Sequence, residues 1–311
     1  MGILVQNIEK VKEFISSGTF NYEILKPYIV KAERKFIVPV IGDTTYGAYT
    51  TTIPTTGNNL KVYDLLCEAS SNLAFFKYLP LGAVQVTDAG IMTSKNDHSQ
   101  NAQWWQVRDL QRSFLNSGFE ALDEALKIME LNPDDFVAWT ASENYTVFKE
   151  LFATRTDVFQ KWFNISSSRR TFIALRPYLL ETNYQYFNTY LGDKTITLIK
   201  TSATDLLKNA LNLLQASQVN YAVAKAAENG MFSLTESGLF LKTNELPGDK
   251  TKSLDPAEIR RLVSARQLSG DEFFKQLKKL LIDNTDIFVD FELPSAPTSI
   301  SAHNTKSIVS F

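Results

Sequence analysis

The sequence predicts a mainly α-helical protein with small β-hairpins, built as a tandem duplication of one module. Three recurrences, in the same order, predict it. LKPYIVKAERKFIVPVIGD (Leu25–Asp43) returns as LRPYLLETNYQYFNTYLGD (Leu175–Asp193), with Leu, Pro, Tyr, Gly and Asp unchanged 150 positions later. A second block ending in Asp88-Ala89-Gly90-Ile91-Met92 is echoed by Glu236-Ser237-Gly238-Leu239-Phe240 at an offset of 148. The third, at 152, matches Val107-Arg108-Asp109-Leu110 with Ile259-Arg260-Arg261-Leu262, and Asn132, Asp134 and Phe136 with Asn284, Asp286 and Phe288. A fixed internal period decides architecture before any local signal does. The first module is read over residues 1–140 with a hairpin near 83–93, the second over 141–290 with a hairpin near 231–242, and an extended tail over 291–311.

Each module is expected to contain the same parts. A first helix starts near Tyr22 or Phe172 and stops at Gly42 or Gly192, since glycine takes the left-handed conformation that closes a helix. The following stretch TTYGAYTTTIPTTGNN is Thr- and Gly-rich and is predicted to be a loop. A second helix over residues 60–79 carries Val62, Leu66, Ala69, Leu73 and Phe76 as one apolar stripe, with a counterpart over 203–227. Short apolar runs on either side of Thr87–Gly90 and Thr235–Gly238 predict hairpins whose turns end in glycine. Residues 101–130 and 256–283 are helical; Ser117-Gly118-Phe119-Glu120 and Ser269-Gly270-Asp271-Glu272 have capping-box spacing, which predicts a break or bend there. In this last region Trp104 falls in a stripe with Val107, Leu110 and Phe114. Trp105 then faces the other copy, a neighbouring subunit, or partly the solvent. The end, Asp290–Phe311, is rich in Ser, Thr and Pro and closes on Ile308-Val309-Ser310-Phe311.

Composition excludes several classes. With 44% apolar and 21% charged residues the chain is expected to be globular and not disordered. A net charge of −2 argues against a protein devoted to phosphate backbones. No apolar run reaches the ~18 residues of a membrane span, and the charged start around Glu9–Glu13 does not suit a signal peptide. Gln6 spoils the myristoylation pattern that Met1-Gly2 begins. A single cysteine, Cys67, excludes an internal disulfide and fits a reducing compartment.

The candidates for chemistry all read better as structure. His98 and His303 have no Cys or His at ligand spacing. Cys67 lies beside the apolar stripe and reads as a buried thiol. Asp88 and Glu236 suit a turn, and Asp134 and Asp286 a helix end. Lys250, Lys252, Arg260, Arg261 and Arg266 read as a solvated basic face before a phosphate site. There is no P-loop, dinucleotide fingerprint or nucleophile elbow. No enzymatic activity, cofactor or metal is therefore expected.

Two stretches, KPYIVKAERKFIVPVIGD (Lys26–Asp43) and YLPLGAVQVTDAGI (Tyr78–Ile91) with the long helix after it, resemble a family of tail-connector or head-completion proteins in phages and prophages of Bacteroidetes. That family is similar in layout to the head–tail connector adaptors of tailed phages. The resemblance covers residues 22–132 well, and the second copy replaces Asp88-Ala89 by Glu236-Ser237. It implies a connector-like module in a non-enzymatic, homo-oligomeric ring docked under the portal, meeting other tail proteins and letting double-stranded DNA pass. It also implies a place in the virion after assembly in the bacterial cytoplasm. The expected contact residues are Thr87, Asp88, Gly90, Trp105, Thr235, Glu236, Gly238, Ile308, Val309 and Phe311. The competing expectation is a soluble helical adaptor or scaffold of a bacterial host.

Overall fold

The computed structural model describes residues 2–16, 20–82, 85–87, 90–92, 102–227, 232–235, 238–241, 255–289 and 291. The first half runs α1 (Ile8–Phe14), α2 (Tyr22–Ala32), a π turn (Glu33–Ile37), α3 (Val38–Ile41), α4 (Asp43–Thr51), α5 (Gly57–Gly82), β1 (Gln85–Thr87), β2 (Gly90–Met92) and α6 (Trp104–Leu131). A 3₁₀ turn (Pro133–Phe136) and the short helices α7 (Val137–Thr140) and α8 (Glu143–Thr146) follow. The second half then repeats the series: α9 (Thr156–Trp162), α10 (Arg169–Thr182), a π turn (Asn183–Phe187), α11 (Asn188–Leu191), α12 (Asp193–Thr201), α13 (Asp205–Ala227), β3 (Phe232–Thr235), β4 (Gly238–Leu241) and α14 (Pro256–Asp283).

The π turns are the sharpest mark of the repeat. Each follows a long helix containing Pro27 or Pro177, and each leads into four helical residues that stop at Gly42 (φ 81°) or Gly192 (φ 68°). A side chain at either glycine would meet the steric penalty of the left-handed region. The Gly stop is thus as expected, but the loop predicted after it shrinks to residues 52–56, between α4 and α5. Residues 43–51 form α4, because Asp43 complements the helix N-terminus and Thr45, Tyr46 and Tyr49 bury one face. Tertiary burial overrides the weak helix propensity of Thr and Gly.

The central helices α5 and α13 are buried around most of their circumference. The predicted stripe residues Val62, Leu66, Ala69, Leu73 and Phe76 are all buried, but so is the whole run 69–76. α1 and α2 pack on one side of α5 and α6 on another; α9, α10 and α14 surround α13 in the same way. The first half has one apolar core, which extends to Phe136 and Trp139, while Phe148 opens the second-half core. Asn144 donates to the Pro39 carbonyl at 2.5 Å, so the connecting helices belong to the first half and the boundary lies beyond Tyr145, past residue 140.

The predicted break in the last helices is absent: α6 and α14 each run 28 residues without interruption. Their capping boxes sit at the true starts, Gln103/Gln106 and Asp255/Glu258. The Ser-Gly pairs mark close approach instead. A Cβ on Gly118 would lie 2.7 Å from Leu73 Cγ, and one on Gly270 2.7 Å from Tyr221 Cε1. Tyr221 cannot yield easily, since it stacks on Tyr186 at 4.1 Å and its hydroxyl donates to Asp271 at 2.5 Å. Gly270→Ala is therefore expected to destabilise the protein by about 1–2 kcal/mol, overpacking outweighing the helix propensity gained. Gly47→Ala in α4, with nothing within 4 Å, is expected to be neutral or stabilising. Equal urea midpoints for the two variants would refute the close-approach reading.

The hairpins have matching closing pairs, Thr87 with Gly90 and Thr235 with Gly238. Gly90 and Gly238 thus occupy equivalent positions, as the period predicts, although they close two-residue connections instead of ending longer turns. The expected contact residues Asp88, Glu236, Ile308, Val309 and Phe311 lie outside the described residues, as do His98, His303, Lys250 and Lys252.

Candidate interaction surface

Three large outward-facing apolar residues lie near the start of α6. Trp104 is 66% exposed, Trp105 48% and Leu110 47%. This corrects the expected stripe: Trp104 is the more exposed tryptophan, and the Arg108 guanidinium sits over its ring at 5.2 Å. Contact between α6 and the α5 core starts at Gln111, which donates to the Phe76 carbonyl, and at Phe114, which stacks on Phe75 at 5.3 Å; Leu115 is the first fully buried residue of α6. Trp105, outside that stripe, is half exposed. Gly238, by contrast, is buried within its own half, where a Cβ would stand 2.5 Å from the Asn164 carbonyl oxygen and Leu239 N donates to that same oxygen at 3.0 Å. The base of the second hairpin is anchored, with Phe232 and Leu239 in the core, so Gly238 is not offered to a neighbour.

A buried polar node in each half explains what the π turn does. Glu33, 1% exposed, is the first residue of the first π turn. It accepts from Ser70 Oγ at 2.7 Å, from Tyr46 Oη at 2.6 Å and from Leu4 N at 3.2 Å. Burial pushes its carboxyl above the usual range, against the pull of the Tyr46, Ser70 and Leu4 donors. In the second half Asn183 takes this position and accepts from Gln218 Nε2 at 2.5 Å, while Gln218 Oε1 accepts from Phe152 N and Ala153 N at 3.2 and 2.8 Å. The carbonyls are matched too: Cys67 Sγ reaches Leu4 O at 3.8 Å, and Gln215 Nε2 reaches Phe152 O at 3.1 Å. Each node thus ties a non-helical bend, at Leu4 or Phe152, into the heart of its module. The Cys67 thiol is the buried group the sequence predicts, pushed up to about 12 by burial.

The two halves meet through charge. Arg169 and Glu130, 2% and 4% exposed, form a salt bridge between α10 and α6. Phe148 and Phe172 lie against the Arg169 guanidinium at 4.5 and 5.2 Å. Burial raises the Glu130 carboxyl and lowers the Arg169 guanidinium, each opposed by the other's charge. Beside them, Asp123 of α6 accepts from Arg170 N at 2.9 Å, so the first half completes the N-terminus of a second-half helix. Arg170 itself lies over the Phe119 ring at 3.4 Å. A cavity of about 290 Å³ between Phe119, Asp123, Ser166 and Arg170 opens at this junction. The backbone amides of residues 166–168 and 170–171 around it already have acceptors, which leaves no anion nest.

Among the described residues no group of three or more His, Cys, Asp or Glu could hold a metal ion, and no helix is long and apolar enough to cross a membrane. Fold and surface together define a helical protein of two serial modules, each with a small antiparallel hairpin between its central helix and its last long helix. The chain belongs to a family of unknown function, DUF6712, whose model matches residues 37–149 and 175–300. No curated protein and no solved structure matches it.

Proposed function

We propose that the chain is a non-enzymatic structural subunit of a phage head–tail junction, forming a ring below the portal through which double-stranded DNA passes. The observation that carries this reading is the outward cluster of Trp104, Trp105 and Leu110 at the hairpin end of α6. Large apolar side chains there gain roughly 25 cal/mol for each Å² taken from water, and aromatic residues are the usual anchors of protein–protein contacts. The likeness over Lys26–Asp43 and Tyr78–Ile91 supports the same reading, since those stretches build the π turn and include β1 and the start of β2. Portal and tail proteins are the partners it implies, with the tail 291–311 and the hairpin residues Thr87 and Thr235 as further contacts.

Negative-stain images of the purified chain are expected to show rings, and Trp104→Ser with Trp105→Ser to weaken self-association or portal docking about tenfold or more. Isolated two-lobed particles at every concentration, with no portal binding, would instead favour a helical adaptor or scaffold of a bacterial host.

A further inference from the structure

Lys31 at the end of α2, Lys35 in the π turn and Lys77 on α5 form an unneutralised cluster. The Lys35 and Lys77 ammonium groups approach the Phe36 ring from 5.1 and 5.3 Å, and none of the three forms a salt bridge among the described residues. Burial, and then the charges of Lys35 and Lys31, lower the Lys77 ammonium. The second half shows what this position looks like when it is satisfied internally. There Glu181 replaces Lys31 and Gln185 replaces Lys35, and the lysine equivalent to Lys77, Lys225, pairs with Glu181 at 2.9 Å. One architecture thus carries a closed ion pair in one half and, among the described residues, three cations without an ion-pair partner in the other. The group that fits the first-half cluster is the one the second half supplies for itself, a carboxylate.

Carboxylates without an ion-pair partner among the described residues stand elsewhere on the first half. Glu68 of α5 is raised by burial and then by the neighbouring charge of Glu124 of α6. Glu124 and Glu120 line one wall of a groove of about 390 Å³, and Lys127 on that wall pairs with none of them. Glu68 and Lys77 are nine residues apart on one helix, which at 3.6 residues per turn sets them about half a turn apart around its axis. The two patches therefore face different ways and cannot neutralise each other within one chain. Between chains they can, and a contact joining two different patches is the head-to-tail kind that closes into a ring or runs on as a filament.

We propose that Lys31, Lys35 and Lys77 of one copy dock on the Glu68, Glu120 and Glu124 patch of the next. The inference rests on the ring reading above and names the surfaces that join neighbouring subunits. Sedimentation velocity of the full chain tests it. Wild-type self-association is expected to weaken about tenfold as salt rises from about 0.05 to about 0.5 M, because exposed charge pairs are screened. Lys31→Glu rebuilds the Glu181–Lys225 arrangement within the first half, so its thermal midpoint should match or exceed the wild type's while self-association falls about tenfold or more. Glu124→Lys should assemble as poorly, and an equimolar mixture of the two variants should recover assembly to within about threefold of wild type, since the swapped charges again oppose. If wild-type rings form and neither salt nor Lys31→Glu changes them, the ring reading survives and these surfaces do not make it. If the wild type stays monomeric at every concentration, the ring reading and this interface fall together.

Discussion

Arg169→Met is expected to destabilise the protein by about 3–5 kcal/mol, the cost of leaving a buried carboxylate without its partner. Methionine keeps the stem volume against Phe148 and Phe172, so the loss reports the charge and not a cavity. Glu130, 4% exposed in its side chain, has no water to turn to and must take up a proton or open the joint between α6 and α10. Glu130→Leu alone should cost a similar amount. The double variant Arg169→Met/Glu130→Leu is the informative one: burial works against both charges, and apolar replacement of a whole buried pair is often close to neutral. Chemical denaturation of all four proteins gives the cycle. A double variant as unstable as either single would show that the pair itself, and not the orphaned charge, holds the halves together.

Glu33→Ala should cost about 2–4 kcal/mol, since it leaves the Leu4 N–H and the Ser70 hydroxyl buried without an acceptor. Tyr46 retains the Gly2 carbonyl at 2.9 Å, which limits the loss. The N-terminal segment should loosen first, read as faster amide exchange at Leu4 and Val5. The pH dependence follows from the raised carboxyl. The folded state binds this proton more tightly than the unfolded chain does. Its contribution is therefore complete below the ordinary carboxylate range and is lost as pH rises through the raised folded value. The stability gap between wild type and Glu33→Gln should accordingly widen from about pH 7 to about pH 4. A gap that narrows in acid would mean that the three donors, and not burial, govern the carboxyl.

Much of the fold was legible because the period was. Identical residues at Gly42/Gly192 and Gly90/Gly238 marked the helix stops and the hairpin closures, and Phe136/Phe288 marked the buried ends after the last helices. The start of the repeat was not legible: Leu4 and Phe152, or Val11 and Phe159, share burial and position without identity. The Ser-Gly pairs are ambiguous in sequence, because capping-box spacing and a small-residue crossing look alike until the facing helix is known. Helical phase alone puts Trp104 inward, yet the core contacted by α6 begins further along, from Gln111 and Phe114. The nodes did leave a signal. Glu33 and Asn183 are polar residues four positions from the buried Ile29 and Ile37, or Leu179 and Phe187, in the same phase of both copies. The junction left one as well. Arg169 and Arg170 directly follow the N-cap Ser168, where cations oppose the helix dipole, so a carboxylate from elsewhere is required. Nothing in the sequence said that Asp123 and Glu130 would supply it.

The Asp123 cap has a consequence for how the chain is made. Synthesis runs from the N-terminus, so α6 leaves the ribosome before α10 exists. Until Arg169 and Arg170 emerge, Asp123 and Glu130 stand on a finished first half as a hydrated acidic face, at no desolvation cost. The second half then arrives at a prepared mould that caps its opening helix and draws in its first two arginines. The reverse order offers no such template, because α10 alone would begin with two adjacent positive charges at the positive end of its own dipole. The gene order of the halves thus doubles as a folding instruction, and a circular permutant that begins at residue 147 would have to fold without it.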